Sequence, residues 1–115
     1  MLFRSSHSNV FFATTNDPSE QVILSIDADD MAAVDYTIIS TDGSIRNFVK
    51  ISAVINGSSL NYVEYSTLPV NGYTGDFTVE YDPGSIVDPP SIGLKMTPQS
   101  ANLMTHKMMA TTYNE

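Results

Sequence analysis

Four aspartates are the first residues to test for chemistry. "DADD" brings Asp27, Asp29 and Asp30 together, and Asp35 follows closely. Hard cations take several oxygen ligands, so calcium would be sought here. The calcium-loop pattern also needs a turn glycine and a distal bidentate Glu, and neither follows. The stretch therefore reads as a solvated turn or helix cap. Glu64 and Glu80 stand before tyrosines in "VEYS" and "VEYD". Two carboxylates at the right separation hydrolyse glycosides. Strand alternation instead puts each Glu outward, opposite the Val-Tyr face of its own strand. His7 and His106 are far apart in sequence, and there is no HExxH, GxSxG or phosphate-cradling glycine loop. Both histidines read as surface or polar-edge residues. No catalytic residue and no cofactor is expected, and the chain does not read as an enzyme.

The composition narrows the partners. The 115 residues fit one domain, 1–115, and the formal net charge is -8 from 13 acidic and 5 basic residues. Such a field repels nucleic acid and anionic lipid. The five cations (Arg4, Arg46, Lys50, Lys95 and Lys107) are scattered along the sequence and form no basic run. With no cysteine, disulfides and thiolate metal sites are excluded. "MLFRSSHSNVFF" lacks the apolar run of a signal peptide, and no stretch approaches the roughly 20 apolar residues of a membrane helix. Synthesis in a cytoplasm is the expectation, so the sequon Asn56-Gly57-Ser58 carries little weight.

The elements that must hold these residues read as strands. "SNVFFAT", "EQVILSI", "VDYTIIS", "FVKISAVIN", "LNYVEYS", "DFTVEY", "SIGLKMT" and "HKMMATTY" are separated by turn-forming residues. In the second, Val22, Leu24 and Ile26 should share a face, with Ile23 opposite. Val34, Tyr36 and Ile38 should share one in the third. Val49, Ile51, Ala53 and Ile55 form the clearest core face, and only Val54 breaks its polar side. Asn56-Gly57 should supply the two positive backbone angles of a tight hairpin. Phe77, Val79 and Tyr81 alternate with Asp76, Thr78 and Glu80. "DPGSIVDPP" must be mostly loop, because proline cannot donate to a ladder. One helical turn is expected in "DADDMAAV". The fold class is all-β: a single antiparallel β-sandwich, Ig-like or jelly-roll-like, or else a small barrel, with about eight short strands.

Apolar residues gather toward both ends. Phe3, Phe11 and Phe12 lie early, and Met104, Met108 and Met109 late, just beyond Met96. Methionine suits adaptable contact surfaces and equally fills gaps in cores. These six residues are the candidates for contact with a partner. Exposed tyrosines such as Tyr62 and Tyr73 could stack on sugars.

From about Val34 to Tyr113 the order of motifs resembles small β-rich modules in the virion proteins of tailed phages, especially those of marine cyanobacteria. "VDYTIISTDGS" is like that family's Tyr-containing strand into a polar turn. "FVKISAVINGSS" is like its apolar strand into a glycine turn, and "NYVEYSTL" like its Glu-Tyr strand. "GDFTVEYDPG" is similar to its Gly-x-Phe entry, and "IGLKMTPQSAN" to its Thr-Pro close before a last strand. "DPGSIVDPP" looks longer than the family's turn. Residues 1–33 lie outside the resemblance, as an extension of the sandwich or an N-terminal arm. The resemblance implies a non-enzymatic virion structural protein. Its first expectation is a capsid decoration or cement protein on the capsid surface, binding the major capsid protein in many copies or as a homo-oligomer. A tail-fibre, baseplate or adhesion module is the alternative. A small carbohydrate-binding module or hydrolase is the second.

Overall fold

The computed structural model describes residues 6–115, and Phe3 lies outside them. Eight strands run β1 (Ser6–Thr15), β2 (Gln21–Asp27), β3 (Met31–Asp42), β4 (Ile45–Asn56), β5 (Ser59–Val70), β6 (Gly75–Asp82), β7 (Ser91–Pro98) and β8 (Met104–Asn114). Every pairing is antiparallel. One sheet has five strands in the order β1-β8-β3-β4-β5, and the other three in the order β2-β7-β6. The chain is therefore an all-β protein of two sheets, consistent with a β-sandwich.

The core lies between the sheets. From the large sheet Val34, Tyr36 and Ile38 of β3 turn inward, with Val49, Ile51, Ala53 and Ile55 of β4. Leu24, Phe77, Val79, Ile92, Leu94 and Met96 oppose them from the small sheet. Period-two alternation produces this layer directly, because each strand gives every second side chain to one face. Burying each large side chain contributes roughly 1.5–3 kcal/mol. The Tyr36 hydroxyl is buried too, with no hydrogen-bond partner among the described residues.

β1 and β2, which precede the stretch of the phage-like motifs, are both strands of the two sheets. β1 pairs with β8 over its whole length, and β2 pairs with β7.

Local chemistry shifts four details from the sequence expectation. The β4–β5 hairpin turns at Gly57-Ser58, not at Asn56-Gly57, because Asn56 pairs with Ser59. Only Gly57 has positive φ, at 63°. It is the first loop residue, the place glycine holds in a type II′ turn. No helical turn forms at "DADD". Met31 N–H donates to the Ala28 carbonyl (3.1 Å) and Asp30 takes φ 59°, so β3 starts at once. Aspartate tolerates that left-handed conformation better than most residues. In β2 a register shift between Val22 and Leu24 breaks the strict alternation. Val22 pairs with outward-facing Lys95 and is 54% exposed, while Ile23 joins Ile26 against the core. A bulge of this kind reverses which side chains face inward.

The fourth difference is in β5. A shift where Lys50 and Ile51 meet it places Val63 opposite Ser52, and Glu64 opposite Ile51. Val63 and Tyr65 are exposed, so the Val-Tyr face is not core. The three-stranded sheet is too narrow to cover this edge of its five-stranded partner.

Candidate functional site

The side of the large sheet turned away from the core differs from a solvated sheet surface. Its strand register aligns Phe12, Lys107, Ile39, Phe48 and Leu68 in one row across all five strands. Val10 and Met109 pair in the adjoining row. All of these apolar residues are exposed, Phe12 at 75%. Antiparallel sheets with one wet face normally keep that face polar. Contiguous exposed apolar surface marks a place for a partner.

The row has a charge pattern of its own. Among the described residues the cations are Arg46, Lys50, Lys95 and Lys107, and all but Lys95 lie on this face. The Lys50 ammonium sits 5.5 Å from the centre of the Phe48 ring, and that of Lys107 5.9 Å from Phe12. Both distances suit cation–π attraction. The acid on this face is Asp35. It accepts hydrogen bonds from Ser52 and, at 3.2 Å, from the Tyr113 hydroxyl. Its negative charge raises the Tyr113 pKa above the ordinary phenol value. A chain of net charge -8 thus carries a locally basic, apolar face.

The outward side of the small sheet is the opposite. Asp76, Glu80 and Asp82 alternate along β6, and Asp27 joins them through Ser91. Lys95 is the cation there. Its ammonium is 2.5 Å from Glu80 and 3.6 Å from Glu20. The hydrogen bond to Glu80 leads the causes that raise its pKa.

Three shallow hollows open on the outward side of the large sheet. The first, of about 410 Å³, is lined by Phe12, Ile39 and the two cations Arg46 and Lys107, with Thr14, Thr41 and Thr105. The second, about 340 Å³, lies between Tyr62, Tyr113, Val54 and Asp35. The third, about 240 Å³, is lined by Val10, Thr37, Ile39 and Met109.

The sequence candidates are divided by this geometry. Phe12 and Met109 are on the exposed face. Met104 and Met108 are wholly buried, which corrects their candidacy for partner contact: β8 is an interior strand of its sheet, and alternation turns both inward. Phe11 is half-buried and packs against the core. Met96 is core as well. Asp27 accepts the Asp29 N–H at 2.8 Å, and Asp30 holds the turn. Among the described residues no three His, Asp or Glu side chains are grouped to hold a metal ion. Glu64 and Glu80 lie on different sheets, the first bonded to Thr67 at 2.6 Å and the second to Lys95. Glu80 points outward as expected. Glu64 is exposed on the side of its strand facing the core layer, because nothing on the small sheet reaches it.

His106 is a further correction. It is 1% exposed and not at a polar edge. Its Nε2 lies 3.0 Å from Thr15 Oγ1 and its Nδ1 2.9 Å from Ser40 Oγ. Hydroxyls both donate and accept, so a neutral ring is satisfied at either nitrogen. Burial lowers its pKa below the usual imidazole value. The unfolded chain therefore binds a proton that the folded chain refuses. The stability from neutral His106 is full above the unfolded-state value of about 6.5 and is lost progressively below it, as pH falls through the lowered folded-state value. We expect the urea midpoint to drop between pH 7.5 and pH 5, and to drop less in His106→Gln. An equal drop in both would remove His106 as the cause.

Sequence reasoning missed the row itself, although a signal was present. Phe11-Phe12, Ile38-Ile39, Phe48-Val49 and Met108-Met109 are apolar doublets. A strand sends one member of each inward and the other outward. Comparison with families of known proteins, with curated proteins and with solved structures finds no match to this chain.

Proposed function

We propose that the chain is a non-catalytic structural protein that adheres through the outward face of its five-stranded sheet to a repetitive protein assembly. The assembly we propose is a tailed-phage particle, with the chain as a capsid decoration or cement protein on the major capsid protein. The observation that carries the adhesive part is the exposed apolar row of this face, above all its Phe48–Leu68 end beside Lys50. The ordered motifs between Val34 and Tyr113 support the virion part. The molecule measures 47 × 31 × 21 Å, so its broad side exceeds the ~800 Å² per partner of a standard interface. The many copies of a shell would turn weak single contacts into lasting attachment.

The first test is mass spectrometry of purified particles, which should find the chain. The second is binding of the protein to shells lacking it. Phe48→Asp combined with Leu68→Asp should weaken binding at least tenfold, by placing unpaired carboxylates in the contact. Both side chains are exposed, so the circular dichroism spectrum should not change. Absence of the chain from particles would remove the virion reading. Unchanged binding of the double variant would remove the face.

A tail-fibre or adhesion role is the second reading. The hollow between Tyr62 and Tyr113, with Asn61 and Asp35 beside it, has the aromatic and polar groups that sugars bind. A glycan array on which Tyr62→Ala loses binding, with copies labelled on tails and not on shells, would favour it.

A further inference from the structure

The β6–β7 loop is built to present two apolar side chains. Ile86 and Val87 are its tip, and both are exposed almost as fully as in an extended chain. Two adjacent large apolar side chains at one loop tip make a small contiguous patch, the kind of surface a partner can cover. The tip is held in shape. Ser85 N–H donates to the Asp88 carbonyl at 3.0 Å, and Ser85 Oγ accepts the N–H groups of Val87 (3.3 Å) and Asp88 (3.1 Å). Asp82 accepts the Gly84 N–H at 2.9 Å. Gly84 has φ 76°, and a Cβ there would come within 2.7 Å of the Pro89 carbonyl oxygen, so the loop closes tightly on itself. Asp82 and Asp88 flank the tip.

The hollow under Phe12 and Ile39 on the large sheet has the reverse character. Phe12 and Ile39 form its apolar walls, Thr14, Thr41 and Thr105 line it, and Arg46 and Lys107 supply positive charge. Its volume of about 410 Å³ admits the Ile86-Val87 tip. Within one molecule the two features belong to different sheets, the loop joining two strands of the small sheet and the hollow opening on the outward side of the large one. We propose that the occupant of the hollow is the Ile86-Val87 loop of a second copy of this chain, with Asp82 and Asp88 of one molecule set against Arg46 and Lys107 of the next. A loop against a hollow is a heterologous contact, so each copy keeps one free loop and one free hollow, and association continues into rings or open chains. A rigid loop loses little freedom on docking. The contact is small, so it is weak for a single pair and strengthened where a lattice aligns many copies. This inference goes beyond the shell-binding reading, because it uses the Phe12–Ile39 end of the face and leaves the Phe48–Leu68 end to the shell.

The test is sedimentation of the full chain from about 10 μM to about 1 mM, the range in which weak contacts form. The wild-type mass should climb with concentration past that of a dimer. Ile86→Asp and Ile39→Asp should each stay monomeric. An equimolar mixture of the two variants should give a heterodimer that grows no further, because only one loop and one hollow remain intact. Gly84→Ala, which leaves the tip side chains alone, should weaken wild-type association at least tenfold. A wild type that stays monomeric throughout, an Ile86→Asp variant that associates like the wild type, or a mixture that stays monomeric would each overturn the proposal. None of these results bears on whether Phe48 and Leu68 bind the shell.

Discussion

Leu94→Ala should cost about 3 kcal/mol of folding stability, within the 2–5 kcal/mol span of buried leucine truncations. Leu94 is fully buried on β7, the middle strand of the small sheet. It pairs with Leu24 on one side and Val79 on the other, and all three face the large sheet. A sheet of three strands gives the core few side chains, so little neighbouring mass can move into the space left behind. Typical domains have only about 5–15 kcal/mol in reserve, so the loss is a large fraction. Urea unfolding checks it: the midpoint should fall sharply with the slope unchanged. A loss under about 1 kcal/mol would mean that the two layers are not packed on each other through β7.

Asn47→Ala should cost roughly 2–4 kcal/mol, mostly from hydrogen bonds left unmade. Asn47 is on β4, and its carboxamide is buried at the crossing from the large sheet to the small one. Its Oδ1 accepts the Thr74 N–H at 2.8 Å and the Thr74 hydroxyl at 3.1 Å, and its Nδ2 donates to the Gly72 carbonyl at 2.7 Å. Thr74 is itself fully buried, so water cannot replace the lost acceptor without opening the turn. Hydrogen exchange should localise the effect: Thr74 should lose protection more than the amides of β3. Equal loss across both sheets, or a change below about 0.5 kcal/mol, would show that this carboxamide does not fix the crossing.

Asn47 illustrates what the sequence could and could not say. Its neighbour Val49 was legible as core because both belong to an inward set spaced by two, Asn47 included. Nothing local marks an inward asparagine, since its partners Gly72 and Thr74 are 25 and 27 residues away. His106 was misplaced for the same reason: Thr15 and Ser40, which satisfy it, come from two other strands. The eight strands and the inward faces of β3, β4 and β6 were readable from alternation alone. The faces of β2 and β5 were not, because each contains a register shift and one displaced residue exchanges inward for outward. The outward apolar row was half legible. The doublets announced exposed partners for Phe11, Ile38, Val49 and Met108. Their alignment across five strands depended on sheet order, which β1-β8-β3 pairing sets through contacts distant in sequence. The positive character of that face was hidden by an acidic total, and emerged when Arg46, Lys50 and Lys107 fell on one side.

The chain has no cysteine, which makes one labelling measurement decisive. Thr37→Cys puts a single thiol at the centre of the large sheet's outward side, between Met109 and Lys50. Thr78→Cys puts one on the outward side of the small sheet, beside Lys95. The rate of thiol modification is compared for each variant free in solution and bound to its particle. Binding should slow modification at position 37 at least tenfold and leave position 78 nearly unchanged. Equal rates at position 37 in the free and bound states would contradict adhesion through this face.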